Sequence, residues 1–374
     1  MKITLLVSDM SQNCLGRAYV LGKVLSKRYD VDILGPMFGS EIWSPIDKSE
    51  LTYQAIPAKD FPSFLRSAGS ILDEIDGEVV YALKPLLGSF GLALAARHRA
   101  RKPIVLDIDD WELGFAWWNV TNQFLKTVAS FYSPHWPGWT IILDKLTGMA
   151  NAVTVSCQFL AERYGGHLVP HVRDVHFLDP SKYDGSHLRK KLGLHNKKVV
   201  LFLGTPRPYK GIEDLVQAVQ LTHDMDMAVL LVGARHDDPF TQCLADKAEG
   251  ALHLIGTRPL SERPLWLSAA DIVVLPQRDS LATRGQVPAK IFDAMAMAKP
   301  IIATAVSDIP HILEGCGIVV PPNDTGALAD RIQYLFAHPG EAAELGVRAR
   351  EVCVQRYSFE TVEVTLFEVF SRFE

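Results

Sequence analysis

Cysteine is scarce in this chain of 374 residues: Cys14, Cys157, Cys243, Cys316 and Cys353 lie far apart and never form a CxxC pair. That excludes a disulfide framework and the usual zinc and redox spacings, and it fits a reducing compartment with mostly buried thiols. Basic charge is not in excess either. Lys and Arg number 38 against 43 Asp and Glu, for a net charge of −5, so no broad basic face for nucleic acid is expected. No window approaches the roughly 20 apolar residues of a membrane-spanning helix. The opening "MKITLLVSD" enters a strand pattern directly, without the regions of a signal peptide, and a cytoplasmic protein is expected. Short repeats and low-complexity tracts are missing. So is a dinucleotide fingerprint: "SDMSQNCLGRAYVLG" lacks the GxGxxG spacing a dehydrogenase would carry after its first strand.

What is present is alternation. β-type runs at Ile3–Val7, Val31–Leu34, Val79–Leu83, Ile104–Ile108 and Ala152–Val155 are separated by helical patterns, the first over about Leu15 to Arg28. A second series follows at Val199–Leu203, Ala228–Val232, Leu252–Ile255, Ile272–Leu275 and Ile301–Ala303. Strands alternating with helices predict parallel sheets covered on both faces. Two series in a chain too long for one core predict two α/β, doubly wound domains. The polar, Gly- and Pro-punctuated stretch Asp174–Lys198 should contain the boundary.

Two stretches carry chemistry. "LGTPRPYKGIEDL" (Leu203–Leu215) leaves a buried strand and enters an amphipathic helix, placing Arg207 and Lys210 just ahead of a helix start. Cations there oppose the helix dipole unless an anion sits among them, and a phosphate or diphosphate would satisfy both. A solvated basic loop is the plainer alternative. The second stretch, Asp271–Thr304, ends a strand at Leu275 and starts a helix near Pro288. Lys290 and Asp293 share a face near its positive end, where they could equally form an exposed ion pair.

Together these stretches resemble the GT-B fold glycosyltransferases, specifically the retaining nucleotide-sugar enzymes of glycosyltransferase family 4. Gly204, Arg207, Lys210 and Gly211 match the family's Gly…Arg…Lys-Gly loop, and Pro288 through Thr304 match its "P-x-K-x-x-E-A-M-A" helix and the strand beyond. "VPHVRDVHFLDP" (Val169–Pro180) is similar to the interdomain linker, and Ser307–Leu313 with Gly317–Ile332 to the closing segment. The resemblance implies a GT-B fold, α/β, of two Rossmann-like domains facing across a cleft. An acceptor-binding domain would span residues 1–176 plus the final helix 358–374, and a nucleotide-sugar-binding domain 177–357. The implied activity is retaining transfer of a hexose-type sugar from a nucleotide-diphosphate sugar to a hydroxyl of a glycan, glycolipid or other acceptor, without metal or further cofactor. Arg207 and Lys210 would stabilise the leaving diphosphate. Gly204, Val287 and Lys290 would line the donor, Asp293 would hold the ribose, Thr257 and Arg258 would border the base, and Gly16 would admit a close backbone. Where many members carry a first glutamate against the donor sugar, this chain has Gly285, and Asp293 is shorter than the usual second one. Ala298 stands for a common Gly and His311 for a frequent acid. A sugar-nucleotide epimerase and a non-catalytic sugar-nucleotide-binding protein are the alternatives.

"DIDDWE" (Asp107–Glu112) ends a strand with acids that could bind a divalent cation or orient a ligand. Asp109 and Asp110 are the candidates for acceptor or donor-sugar contact. Trp111, Trp117, Trp118, Trp136 and Trp139 fall in one segment, suited to an amphipathic acceptor, to peripheral membrane contact at the inner face, or to packing alone. Lys126 is the one basic residue between Trp111 and Trp139, which argues against charge-driven lipid binding. The apolar final helix, Tyr357–Glu374, should pack on the first domain, as the resemblance implies.

Overall fold

A computed structural model describes residues 1–122, 128, 130–235, 237–248 and 250–374; Lys126 lies outside them. The chain forms two compact units, one of residues 1–171, 284–287 and 360–374 and one of residues 172–283 and 288–359. The second unit thus begins at Val172 rather than at 177, and four residues after its strand Ile272–Leu275 belong to the first unit.

The first unit is built on seven parallel strands: β1 (Lys2–Leu6), β2 (Asp30–Met37), β3 (Thr52–Pro57), β4 (Val79–Leu83), β5 (Ile104–Ile108), β6 (Ala152–Val155) and β7 (His167–Leu168), in the order β3-β2-β1-β4-β5-β6-β7. The continuous apolar run VVYAL of β4 is buried throughout, as expected where helices cover both faces of a parallel sheet. The second unit carries β8 (Lys198–Leu203), β9 (Met227–Val232), β10 (Leu252–Ile255), β11 (Ile272–Leu275), β12 (Ile301–Thr304) and β13 (Ile318–Val320), in the order β10-β9-β8-β11-β12-β13. Its core gathers Phe202, Leu215, Leu231, Val274 and Ile332 between sheet and helices. The strands with no clear signature in the sequence, β3, β7 and β13, lie at sheet edges. They are short or half-exposed, so no long apolar run marks them. Cys157, Cys316 and Cys353 are buried as thiols, Cys14 is partly so, and Cys243 is exposed.

Inside the first unit, Arg17 reaches from the helix Leu15–Leu25 to Asp107 on β5 through two hydrogen bonds of 3.0 and 2.9 Å. It also donates to the carbonyls of Val169 and Pro170, so one guanidinium joins the first helix, a central strand and the end of the unit. The final helix, Phe359–Ser371, buries Val362, Leu366, Val369 and Phe370, the i, i+4, i+7, i+8 stripe of an amphipathic helix. Phe370 meets the edge of Tyr81 at 5.1 Å and Phe367 that of Tyr29 at 5.8 Å. Lys27–Glu363 and Arg28–Glu374 close the rim at 2.6 and 2.9 Å. Each of the four fully buried side chains is worth about 1.5–3 kcal/mol, a sum comparable with a domain's whole stability. Truncation after Arg356 is expected to leave a protein that aggregates and binds a hydrophobic dye. A soluble, dye-negative product of normal melting temperature would show that this helix is dispensable.

Candidate active site

In an open parallel sheet, helices leave on opposite sides where the strand order reverses, and ligands bind in the crevice beyond the strand ends there. In the second unit this point lies between β8 and β11, which pair directly. The sequence places both of its recognisable stretches at those two strand ends. Gly204 has φ 131°, and a Cβ there would stand 1.9 Å from Cε of Lys290, so the lysine stem lies over the glycine. Gly211 has φ 66°, and its Cβ would meet the Pro276 carbonyl oxygen at 1.8 Å. The Arg278 amide donates to the Tyr209 carbonyl at 2.9 Å. Two motifs separated by most of a domain in sequence therefore form one cradle.

Its charges are sorted. Glu213 and Asp214, in the first turn of the helix Ile212–Leu221, are held by other cations. Arg278 donates to Asp214 at 2.9 and 2.6 Å and to Glu213 at 3.2 Å, and Lys247 reaches Glu213 at 3.0 Å. Arg207 is exposed, and Lys210 bends back to the Thr205 carbonyl at 2.6 Å. Thr257 and Arg258 stand beyond β10, two strands away in the sheet, with the Arg258 guanidinium 5.5 Å from the Trp266 ring centre. Val287 is buried in the four-residue segment that joins the first unit, and Gly16 faces the Trp43 ring, where a Cβ would stand at 3.2 Å.

Asp293 has partners that the sequence did not suggest. It is 2% exposed, and its carboxylate accepts from Arg173 at 2.5 and 3.2 Å and from Arg263 at 2.7 Å. Burial alone would raise its pKa, but the two guanidiniums hold it below the ordinary carboxylate value. Arg173 also binds the Ala289 carbonyl, and its backbone exchanges hydrogen bonds with Tyr357 and Phe359. Asp293 is thus the anchor of a buried ion cluster. Its shorter side chain suits the approach of two arginines. Arg173 and Arg263 escaped the sequence reading; the one available signal was a cation inside the apolar linker pattern.

In the first unit the acids after β5 converge on a residue that the sequence reading missed. Lys84 follows β4 with φ 72° and is 7% exposed. Its ammonium lies 3.1 Å from Asp109, 2.6 Å from Asp110 and 2.5 Å from Glu112, taking the central place a cation would occupy. Among the described residues no group of three or more His, Cys, Asp or Glu is arranged to hold a metal ion. One ammonium against three carboxylates leaves excess negative charge, and the carboxylates respond differently. Burial pushes Asp109 up to about 7 despite Lys84. Asp110, though buried, is held below its ordinary value by Lys84 and by the Gln286 amide at 2.9 Å. Burial raises Glu112.

The same contact accounts for Gly285. Asp110 and Gln286 form an antiparallel bridge, and the Trp111 amide donates to the Gly285 carbonyl at 3.1 Å. A Cβ at 285 would lie 2.4 Å from Trp111 Cβ and 2.9 Å from the Phe159 ring. The position has no room for a glutamate, and Gln286 meets Asp110 beside it.

A family model described as "Glycosyl transferases group 1" matches residues 197–338. Among curated proteins the chain is 27% identical to the GDP-mannose-dependent alpha-(1-6)-phosphatidylinositol monomannoside mannosyltransferase of Mycolicibacterium smegmatis, over 66% of this chain and 70% of that one. It is 32% identical to the probable glycosyltransferase WbjE of Pseudomonas aeruginosa, over 43% of this chain and 41% of that one. Among solved structures, sucrose-phosphate synthase from Thermosynechococcus elongatus superposes with a TM-score of 0.77 over 100% of this chain and 98% of that one, at 17% identity. Anabaena Alr3699/HepE gives 0.76 over 100% of both chains, at 18% identity. The two parallel sheets, one in each unit, and the structures they superpose on define an α/β protein of the GT-B fold. The family match over residues 197–338 and the shared fold support a GT-B glycosyltransferase of the family 4 type, and the relatives support glycosyl transfer from a nucleotide sugar.

Two consequences follow for stability. The pKa of Asp109 near 7 lies above the ordinary carboxylate value of about 3.9, so folding favours its protonated form. That contribution is full below about pH 3.9 and is lost as pH rises through 7. Asp109→Asn should therefore raise the melting temperature more at pH 8 than at pH 5; an equal change at both would remove burial of charge as the cause. Asp293→Ala takes the carboxylate from the buried Arg173 and the half-buried Arg263, a loss of about 3–5 kcal/mol in urea unfolding. A loss under about 1 kcal/mol would show that neither arginine depends on it.

Proposed function

We propose that this chain transfers a hexose-type sugar from a nucleotide-diphosphate sugar to a hydroxyl of a glycan or lipid-linked acceptor, with retention of configuration. The observation that carries the reading is the cradle at β8 and β11. Arg207 stands exposed there, Lys210 is folded over the loop, and Lys290 lies across Gly204. As the sugar departs, negative charge grows on the diphosphate. Fixed cations aimed at that charge supply the electrostatic stabilisation that usually dominates catalysis. Arg207 and Lys210 have that role, and the amides at the start of the helix Ile212–Leu221 add to it. The acids of that helix do not compete, because Arg278 and Lys247 hold them. Two of the structural neighbours support the ligand class: Alr3699/HepE was solved with UDP and glucose and with UDP-glucose.

Lys290 borders the donor with Gly204, and Asp293 serves it through the arginines it holds. Gly16, Val287, Thr257 and Arg258 keep the donor-side places that the resemblance implies. Asp110, anionic and aimed by Lys84 and Gln286, is the carboxylate for a sugar hydroxyl, with Asp109 behind it. The reaction proceeds without a metal, since Arg207 and Lys210 supply the cations that a metal would. No helix among the described residues is long and apolar enough to cross a membrane. Contact with a lipid-borne acceptor would fall to exposed side chains of the Trp-rich stretch, such as Trp117, Phe131 and Tyr132.

The test is release of nucleoside diphosphate from a panel of nucleotide sugars in the presence of EDTA, with the product anomer read by NMR. Arg207→Ala and Lys210→Ala should each slow release by roughly a hundredfold or more with little change in melting temperature. Unaltered rates in both variants would end the diphosphate assignment, and an inverted anomer would end retention.

A further inference from the structure

The first unit has its own strand-order reversal, between β1 and β4. The loops that leave these strands press together: a Cβ on Gly88 would stand 2.5 Å from the Ser8 carbonyl oxygen. Beside them lies a cavity of about 170 Å³ whose lining includes Ser8, Phe38, Glu112, Phe115, His135 and Thr140. A dry cavity of about 150 Å³ holds one benzene ring, so this one suits a single six-membered ring. Leu86, Ala116, Pro134 and Pro137 add apolar lining, and the other walls are of two kinds. Phe38, Phe115 and His135 supply flat faces, Phe38 and His135 being in edge contact at 4.4 Å. Ser8, Thr140 and Glu112 supply hydroxyl and carboxylate oxygens. Such a lining matches a sugar-like ring, which shows C–H groups to an aromatic face and hydroxyls at its rim.

Charge narrows the choice. Among the described residues no lysine or arginine lines the cavity. Glu112 shares one ammonium with two other carboxylates, and partial burial keeps the His135 imidazole below its ordinary value, hence neutral at pH 7. A phosphate or carboxylate entering here would meet uncompensated negative charge, whereas a hydroxyl or an ammonium would meet acceptors. We propose that this cavity binds the acceptor's terminal ring, and that the ring is a neutral or amino-bearing hexose or cyclitol rather than an acidic one. The inference rests on the glycosyl-transfer reading for the word acceptor, but the cavity and its selectivity stand on the first unit alone.

The experiment is saturation-transfer NMR on the full chain without donor, using a methyl hexopyranoside, a hexosamine and a hexuronate as probes. The first two should bind and the hexuronate should bind at least about tenfold more weakly. Phe115→Ala should weaken the methyl hexoside about tenfold by removing one face. Glu112→Gln keeps an oxygen for Lys84 and removes one charge; it should weaken the hexosamine about tenfold and narrow the gap to the hexuronate. Equal binding of all three probes by the native chain would overturn the proposal, as would unchanged binding in both variants. Ring binding in a chain that releases no nucleoside diphosphate from any donor would sink the transfer reading and leave the cavity's selectivity intact. Donor turnover with no ring binding would do the reverse.

Discussion

Both units obey one constraint: every strand runs parallel, so all carboxyl ends lie along one edge of each sheet. The chain leaves from that edge to form its helices, and only where strand order reverses do neighbouring loops part to opposite faces. The reversal at β8 and β11 gathers Gly204, Arg207, Lys210 and Lys290. The reversal at β1 and β4 gathers Ser8, Lys84 and Gly88 beside the cavity. The useful residues come from distant stretches because strand order, not sequence distance, decides who are neighbours.

Buried ions reinforce this frame. Arg17 with Asp107 ties the first helix to a central strand, and Arg173 with Asp293 and Arg263 ties the linker to the helix Lys290–Ala296. Such pairs add little net stability over apolar packing, since desolvation offsets most of the attraction. Breaking one is expensive, however, because the surviving charge remains buried. Their effect is to make other arrangements costly. The Lys84 cluster differs, because three carboxylates share one ammonium and the surplus cannot be neutralised by pairing. Burial, with the neighbouring carboxylates adding to it, raises Asp109 toward neutral pH, while Lys84 and Gln286 hold Asp110 below its ordinary value, which gives two adjacent aspartates different chemical characters.

The departures from the family pattern are local adjustments with visible partners. Gly285 is small because Trp111 and Phe159 occupy the space a side chain would need, and Gln286 meets Asp110 beside it. Asp293 is short and sits where two arginines converge. The glutamate that many members direct at the donor sugar has no counterpart at 285, and the carboxylate that meets Gln286 beside it is Asp110, two residues beyond β5.

The sequence by itself determined the fold class and most of the sheets. Fully buried strands such as Val79–Leu83 and Ile272–Leu275 must be continuous apolar runs, and amphipathic helices must follow them, so both leave a periodic trace. The Gly204–Gly211 loop was legible for a related reason: positive φ and close backbone approach leave few residue choices. The edge strands β3, β7 and β13 were not legible, because a half-exposed strand can use almost any residue. Nor were Lys84, Arg173 and Arg263. A lone cation has no periodicity, and its role exists only through carboxylates brought near it from other parts of the chain. Tertiary structure alone decided that Asp293 anchors an ion cluster and that Gly285 has no room for a side chain, because both facts depend on distances between residues whose separation in sequence says nothing of their separation in space.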